Sequence, residues 1–306
     1  MCNINLSAVK SRAKFACLAI VVPLLFSCQQ AETTQENEAI NVMSFNIRYD
    51  NPDDGFNSWK YRKDMAANAV LFYDVDILGT QEVLHHQLID LKDRLLEYNH
   101  VGVGREDGKE KGEYSAIFYK KERFTLVQEG NFWLSENPQT AGSKGWDAAC
   151  ERIASWAILR EKASGKEVFA INTHFDHKGE IARIESVGLL LTKIDELAKG
   201  MPIVLTGDFN AEPSSNVIQE LINPTTQGLQ LIDSRSCAKL VYGPAWSFHN
   251  YGAIELINRP LIDYIFTNNG FNIVSFGVLS EMNDSTYLSD HTPIIAKLKF
   301  ATRDMN

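Results

Sequence analysis

The chain has 306 residues, of which 44% are hydrophobic and 23% are charged. This balance is typical of a globular protein and excludes a disordered or collagen-like chain. Asp and Glu number 39 against 30 for Lys and Arg, so the formal net charge is −9 at neutral pH. An acidic protein is not attracted as a whole to nucleic acid or anionic membrane, and a polyanionic partner would need a local basic patch.

The N-terminus has the composition of a bacterial export signal. Lys10, Arg12 and Lys14 form a positively charged region ahead of the apolar stretch 15–26, which is too short to span a bilayer. We therefore expect residues 1–27 to be a lipoprotein signal peptide that does not belong to the fold.

The end of this signal resembles a lipobox, Leu-Phe-Ser-Cys at residues 25–28, although Phe26 replaces the usual small residue. In a lipobox the cysteine is acylated and becomes the mature N-terminus. We expect lipidation at Cys28 and a flexible tether over residues 28–39. The expected location is the bacterial cell envelope, on the outer membrane or a periplasmic or extracellular face. A plain secretory signal and an uncleaved signal anchor are the alternatives.

Apolar runs of strand length alternate with helical patterns through the rest of the chain. Helices are predicted at 58–73, where Ser58 can cap the start, and at 180–199, which Gly200 can end in a left-handed conformation. No repeat or linker interrupts residues 40–306, so we expect one α/β domain. The predicted strands are residues 41–48, 76–82, 115–119, 152–160, 167–174, 202–210 and 260–267, with a last apolar run at 294–298.

Polar side chains recur where these strands end. Asp208 and Asn210 are two residues apart at the end of one strand and lie on the same side of it. Asn46, Glu82 and His174 end three others. Each residue alone has a plainer explanation, as a turn residue or a hydrogen-bonded core histidine. Together they favour a functional site, because ligands bind at strand ends in open α/β sheets.

Two further positions strengthen this interpretation. Asp263 lies inside an apolar strand, where a buried acid needs a partner, and His291 is a natural one. Glu82, Asp208 and Asp290 are hard oxygen donors of the kind that suits Mg²⁺ or Mn²⁺. The sequence therefore predicts a divalent-cation site beside charged or polar groups.

Six motifs stand in order along the chain: Ser44-Phe45-Asn46-Ile47-Arg48, Gly79-Thr80-Gln81-Glu82, Asn172-Thr173-His174, Gly207-Asp208-Phe209-Asn210, Ile262-Asp263-Tyr264-Ile265-Phe266 and Ser289-Asp290-His291. Together they resemble the endonuclease/exonuclease/phosphatase superfamily over nearly the whole mature chain. The resemblance implies a four-layer α/β sandwich, with two face-to-face mixed β-sheets flanked by helices, and Mg²⁺-dependent hydrolysis of phosphoesters. Residues 48–55 and 145–147 resemble a bacterial subgroup near the deadenylase-like branch, whose substrate does not follow from the superfamily.

The resemblance also implies a metal site. A phosphoester carries negative charge that repels an attacking hydroxide, so the enzyme must neutralise oxygens and orient a water molecule. Glu82 would hold the metal, assisted by Asn46 and Asp290. The expected cofactor is Mg²⁺, with Mn²⁺ as a substitute.

Catalytic roles follow in the same way. Asp208 would orient and deprotonate the water, and Asn210 would fix its geometry or contact the phosphate. Asp263 would keep His291 charged and facing the scissile phosphate. His174 would donate a hydrogen bond to a non-bridging oxygen.

Residues in or beside predicted loops are candidate substrate contacts. Trp59, Trp146 and Trp246 would stack on a base or sugar ring or contact lipid, with core or rim packing as the alternative. Asp176 closely follows the histidine motif at 172–174. Candidate phosphate contacts are Arg48, Arg152, Lys178 and Arg183.

Three functions remain open. We rank first an envelope phosphoesterase that acts on small or exposed phosphoesters, and second a nuclease, such as a 3′-exonuclease on single strands. Basic residues cluster only at 60–63 and 109–111, so we expect no strong binding of duplex DNA. A non-enzymatic glycan- or protein-binding lipoprotein ranks third. We expect a monomer whose contact with the membrane is through the lipid anchor, and pairing of Cys150 with Cys237 stays open.

Overall fold

The computed structural model describes residues 38–225, 228–283 and 286–301. The predicted signal peptide, the lipidation site Cys28 and nearly all of the predicted tether lie outside these residues. Within the described part of the chain, none of the helices combines the length and hydrophobicity required to cross a membrane. Cys150 and Cys237 are both free thiols.

Two mixed β-sheets form the centre of the molecule. Their parallel pairs are flanked by antiparallel neighbours, as predicted. Across the seven-stranded sheet the order is β10 (Leu240–Tyr242), β12 (Phe271–Val278), β15 (Ile294–Phe300), β1 (Ile40–Asn46), β2 (Ile77–Gln81), β4 (Ile117–Lys120) and β3 (Tyr98–Val101). Across the six-stranded sheet it is β5 (Phe124–Trp133), β6 (Ile153–Glu161), β7 (Glu167–His174), β8 (Ile203–Asp208), β11 (Asp263–Thr267) and β9 (Ile232–Asp233). A separate pair consists of β13 (Met282–Asn283) and β14 (Thr286–Tyr287).

Three apolar clusters show that the predicted four-layer sandwich is correct. One cluster lies between the sheets and joins, for example, Val42 and Ile77 to Val204 and Ile265. The other two lie on the outer faces, under the helices. The helices are α1 (Trp59–Phe72) and α2 (His85–Arg94) on the seven-stranded sheet, α3 (Glu180–Ala198) and α4 (Asn216–Ile222) on the six-stranded sheet, and the short α5 (Ser234–Cys237), with 3₁₀ segments at Pro52–Asn57 and Leu256–Asn258.

Helices α1 and α3 occupy the predicted positions, but their ends differ in detail. Ser58 is the residue before α1, yet its hydroxyl donates to the carbonyl of Gly55 instead of accepting from the helix. At the end of α3, Lys199 already adopts the left-handed conformation, with φ of 47°, and Gly200 continues it with φ of 80°. The left-handed turn therefore begins one residue earlier than predicted.

A buried hydrogen-bond network joins the two sheets just below the strand ends. In β7, the Asn172 amide donates to the carbonyls of Thr80, at 2.8 Å, and Ala116, at 3.0 Å. Its oxygen accepts from Gln81 Nε2, at 2.6 Å, and from Thr206 Oγ1, at 3.0 Å. Because a buried polar group is costly unless it is paired, this network specifies how the sheets align.

The closeness of the sheets at this point gives a stability prediction. A Cβ atom at Gly79 would lie 2.0 Å from Thr206 Oγ1 and 2.7 Å from Asn172 Oδ1. Gly79→Ala should therefore lower the free energy of unfolding by about 1–3 kcal/mol, the usual cost of overpacking. The measurement is chemical denaturation followed by circular dichroism.

Gly188→Ala is the matched control. Gly188 lies within α3 and has no atom within 4 Å of the added Cβ position. Since alanine is a better helix former, this variant should gain about 0.5–1 kcal/mol. Equal stability of Gly79→Ala and wild type would contradict the close approach of the sheets.

Candidate active site

Strand pairing collects the predicted site residues at one edge of the sandwich. In the six-stranded sheet, Asp208 is paired in register with His174 on one side and Asp263 on the other. In the seven-stranded sheet, Asn46 ends β1. Its side-chain nitrogen lies 3.0 Å from Asp208 Oδ2, so the two sheets meet directly at their strand ends.

Three residues that follow these strands have left-handed backbones. The φ angles are 59° at Arg48, 62° at Glu82 and 47° at Asn210. Asparagine tolerates this conformation, whereas arginine and glutamate adopt it at a cost of order 1 kcal/mol that the surrounding structure must offset. All three residues line the same pocket. Left-handed residues that line a pocket are typical of functional sites.

Asn46 holds the carboxylates of the site in place. Its nitrogen donates to Glu82 Oε1, at 3.1 Å, as well as to Asp208. Its oxygen accepts from the backbone N–H of Arg48 at 3.0 Å. Glu82 Oε2 accepts a further hydrogen bond from the Tyr49 N–H at 3.1 Å. This geometry gives Asn46 an orienting task, and its contact with a metal stays a prediction.

Asp263 and His291 form the predicted pair. His291 Nδ1 lies 2.9 Å from Asp263 Oδ2, and its Nε2 lies 3.7 Å from Asp208 Oδ2. Burial acts to lower the pKa of His291, but the charges of Asp263 and Asp208 outweigh it and raise the pKa to about 10. Burial and the charge of Asp263 raise the pKa of Asp208 to about 7. The imidazole is therefore a cation at neutral pH, beside a carboxyl group that can exchange a proton there.

His174 differs from His291 because it is neutral. Burial and the charges of Arg152 and Arg105 lower its pKa well below the usual value. Its Nε2 accepts from Asn210 Nδ2 at 3.1 Å, which places the ring proton on Nδ1. Nδ1 has no hydrogen-bond partner and lies 4.0 Å from a carboxylate oxygen of Glu113. A hydrogen bond from His174 to substrate would thus come from Nδ1.

The donor set fits a divalent cation. Glu82, Asp208 and His291 each offer one ligand atom, and these atoms lie within 4.8 Å of one another. Burial raises the pKa of Asp290. The charge of His291 opposes this effect, and the charge of Glu82 adds to it. Carboxylates crowded in a buried site repel one another, and a hard cation relieves that repulsion. His291, kept protonated by Asp263, has no free lone pair, so Glu82 and Asp290 are the suitable ligands.

These residues line a pocket of about 470 Å³, which we call the catalytic pocket. Arg105, Glu113 and Arg152 also line it, from three different parts of the chain. Arg105 and Glu113 were not among the predicted site residues, because neither lies in a motif. Asn210, Phe248 and Ile262 are shared with an adjoining wider groove of about 680 Å³, which we call the side groove and which also contains Arg183, Ser214 and Asn216.

The tryptophan predictions receive no support. Trp59 was expected to contact substrate, which is wrong, because its side chain is 2% exposed within the core under α1 and its Nε1 donates to Asp90 at 2.9 Å. Trp146 and Trp246 are half-buried, and neither is among the residues that line the catalytic pocket. Arg259 covers the Trp246 ring at 4.5 Å.

The substrate-binding prediction for Asp176 is also wrong. The side chain is buried and its acceptors are used by the protein itself. Burial raises the pKa of Asp176, but the hydrogen bonds that its carboxylate accepts hold that pKa well below its usual range. The donors are Arg152 Nε and the backbone N–H groups of Cys150, Lys178 and Gly179. Asp176 therefore orients Arg152, and the charge of that arginine makes the neighbouring cluster of Cys150, Asp176 and His177 unsuitable for a cation.

A buried arginine, Arg62, connects two segments that carry residues of the site. Arg62 donates from Nη1 to the carbonyl of Ile47, at 2.8 Å, and to that of Leu288, at 2.9 Å. The first carbonyl adjoins Arg48, and the second lies two residues before Asp290. Arg62 thereby ties the end of β1 to the loop that carries Asp290 and His291.

Comparison with known proteins agrees with this geometry. The sequence model of the Endonuclease/Exonuclease/phosphatase family matches residues 43–291. A structure of a family member from Bacteroides vulgatus is 41% identical, with a TM-score of 0.83 over 86% of this chain and 99% of that one. A mannosyl-6-phosphatase from Bacteroides thetaiotaomicron is 38% identical, with a TM-score of 0.78 over 85% of this chain and 100% of that one.

A curated relative lies further away. A CCR4-Not complex 3'-5'-exoribonuclease subunit from Mycosarcoma maydis is 26% identical over 82% of this chain. The chain spans only 47% of the length of that relative. The family match extends from β1 to His291 and includes all six motifs. The chain therefore belongs to the endonuclease/exonuclease/phosphatase family, whose members are hydrolases that act on phosphoester bonds.

Proposed function

We propose that this chain is a Mg²⁺-dependent phosphoester hydrolase of the cell envelope that acts on small phosphoesters of the sugar phosphate class. The carrying observation is the catalytic pocket, about 470 Å³ in volume, in which Glu82, Asp208 and the cationic His291 converge. A pocket of this size suits a small substrate. The similarity to a mannosyl-6-phosphatase supports a sugar phosphate.

The residues divide the chemistry between them. A Mg²⁺ ion held by Glu82 and Asp290 would neutralise charge on the phosphoryl oxygens. Asp208 accepts the proton of the attacking water, since its pKa of about 7 suits a general base at neutral pH. His291 directs positive charge at the oxygens on which negative charge develops. The N–H of Asn210 donates to Asp208 Oδ1 at 2.9 Å and orients that carboxylate.

A second candidate function is 3′-exonuclease activity on single-stranded nucleic acid. The similarity to the exoribonuclease subunit favours it. The net charge of −9 favours a small substrate instead, because affinity for nucleic acid depends on phosphate contacts by Lys and Arg. Membership of a hydrolase family argues against the non-enzymatic alternative.

The first prediction concerns the general base. Asp208→Asn keeps the shape of the side chain but removes the base, so kcat for sugar phosphate hydrolysis should fall by about 10²-fold or more. Asp93→Asn makes the same change at an exposed position of α2 and should leave kcat unchanged.

Removal of divalent cations by a chelator should abolish activity in wild type, and Mg²⁺ should restore it. Full activity in chelator would rule out metal dependence.

The second prediction concerns substrate. At ~150 mM salt, where weak surface attraction is largely screened, kcat/KM should be highest for a sugar phosphate and lower for single-stranded RNA. Binding of long duplex DNA should be undetectable under these conditions. If single-stranded RNA is the best substrate, the exonuclease alternative takes first place. If duplex DNA is the best, the argument from charge is wrong.

The third prediction concerns location, which we propose from the lipobox-like residues 25–28 alone. Acylation at Cys28 would anchor the enzyme to a membrane of the envelope. Cys28→Ser should therefore move the protein from the detergent phase to the aqueous phase in a partition experiment on whole cells. A wild-type protein whose mature N-terminus is not Cys28 would contradict the proposed anchor.

A further inference from the structure

Two arginines form one wall of the catalytic pocket. Arg105 donates from both terminal nitrogens to Glu113, at 2.8 and 2.7 Å. Arg152 donates from Nε to Asp176, at 3.3 Å. We call these two arginines, each held by its own carboxylate, the arginine wall. Both guanidinium groups are thus fixed in position before any substrate binds.

Each arginine keeps a donor that the protein does not use. Arg152 is only 4% exposed, and its Nη2 lies 3.0 Å from His177 Nδ1, but its Nη1 has no hydrogen-bond partner. Arg105 Nε also has none. Buried charged donors are rarely left unpaired, because the loss of their hydration is then not compensated. Two such donors among the residues that line one pocket suit a negatively charged ligand.

The arginine wall is close to the reacting groups. His174 lies between Asp208 and the partner of Arg105, since His174 Nε2 lies 3.5 Å from Asp208 Oδ2 and Nδ1 lies 4.0 Å from Glu113 Oε2. After burial, the charges of Arg152 and Arg105 lower the pKa of His174, which agrees with this proximity. A phosphoryl group attacked beside Asp208 would therefore lie in the same pocket as the arginine wall.

We propose that the arginine wall binds the terminal oxygens of a phosphomonoester and makes the enzyme prefer monoesters to diesters. This inference rests on the proposed function and adds to it the residues that would select a monoester. A monoester has three unsubstituted oxygens and a second negative charge, which suit the planar fork of a guanidinium group. A diester lacks that charge and has a second substituent.

The shape of the pocket supports the same preference. Arg105 and Arg152 line it with side chains that their carboxylate partners hold in position. The catalytic pocket adjoins the side groove at Asn210 and Phe248, where one substituent can lie. A second substituent, as in a diester, that lay against the arginine wall would displace a charged contact and supply none.

The test compares a monoester with a diester of the same leaving group. Wild type, Arg152→Gln and Arg152→Lys are assayed with Mg²⁺ on p-nitrophenyl phosphate and bis(p-nitrophenyl) phosphate. Arg152→Gln should lower kcat/KM for the monoester by about 10²-fold, the usual loss when one such donor is removed, and should affect the diester far less. Arg152→Lys retains the charge without the fork and should fall between wild type and Arg152→Gln.

The control variant is Arg160→Gln, near the other end of β6, the strand that begins directly after Arg152. Arg160 is half-exposed and pairs with Glu167 at 2.7 Å, so this variant should leave both activities unchanged. Inorganic phosphate provides a second readout, independent of turnover. Calorimetry in Mg²⁺ should show binding weakened by about tenfold to a hundredfold in Arg152→Gln, and by less in Arg152→Lys.

The outcomes separate the two proposals. If wild type hydrolyses neither compound nor a sugar phosphate, the proposed function is wrong, and so is the proposed preference for monoesters. If wild type is active and Arg152→Lys or Arg152→Gln changes both substrates equally, the proposed function stands and the arginine wall has no part in specificity. Unchanged binding of inorganic phosphate in both folded variants would also overturn the arginine wall as an anion site.

Discussion

The active site depends on the close approach of two β-sheets at their strand ends. Gly79 permits that approach, since any side chain there would collide with the opposite sheet, and Asn172 then joins the sheets through buried hydrogen bonds. As a result, Glu82 of one sheet meets Asp208 of the other, and Asn46 bonds to both. Neither sheet contains the site by itself. The packing of the two sheets in the core therefore determines the geometry of the active site at their strand ends.

The charges of the site are arranged so that an anion can bind beside several carboxylates. Asp263 keeps His291 cationic, and separate carboxylates hold Arg105 and Arg152, so positive groups line the catalytic pocket together with Glu82 and Asp208. A divalent cation would balance the remaining acids. In a buried pocket these interactions are stronger than in water, so small displacements matter. His174 lies between Asp208 and Glu113. It is neutral because burial and the charges of the arginines lower its pKa.

Much of this arrangement could be predicted from sequence because it is local. Asp208, His174 and Glu82 end recognisable strands, and their motifs occur in an order that specifies the fold. Side-chain environment was harder to predict. Trp59 lies next to a predicted loop in sequence, yet its side chain is buried. Its Nε1 donates a hydrogen bond to Asp90 of α2, a helix that was not predicted. The arginine wall combines residues 105, 113, 152 and 176, and no local pattern shows that these meet, since only tertiary structure brings them together.

The central claim is that the strand ends form a metal-dependent centre with the arginine wall facing the phosphoryl group. Its most direct test is a crystal structure with Mn²⁺ and inorganic phosphate bound, in which anomalous scattering locates the metal. The account predicts Mn²⁺ on the carboxylates of Glu82 and Asp290, and phosphate in contact with His291 and Arg152. Mn²⁺ bound at Cys150, Asp176 and His177 instead, or phosphate bound outside the catalytic pocket, would contradict it.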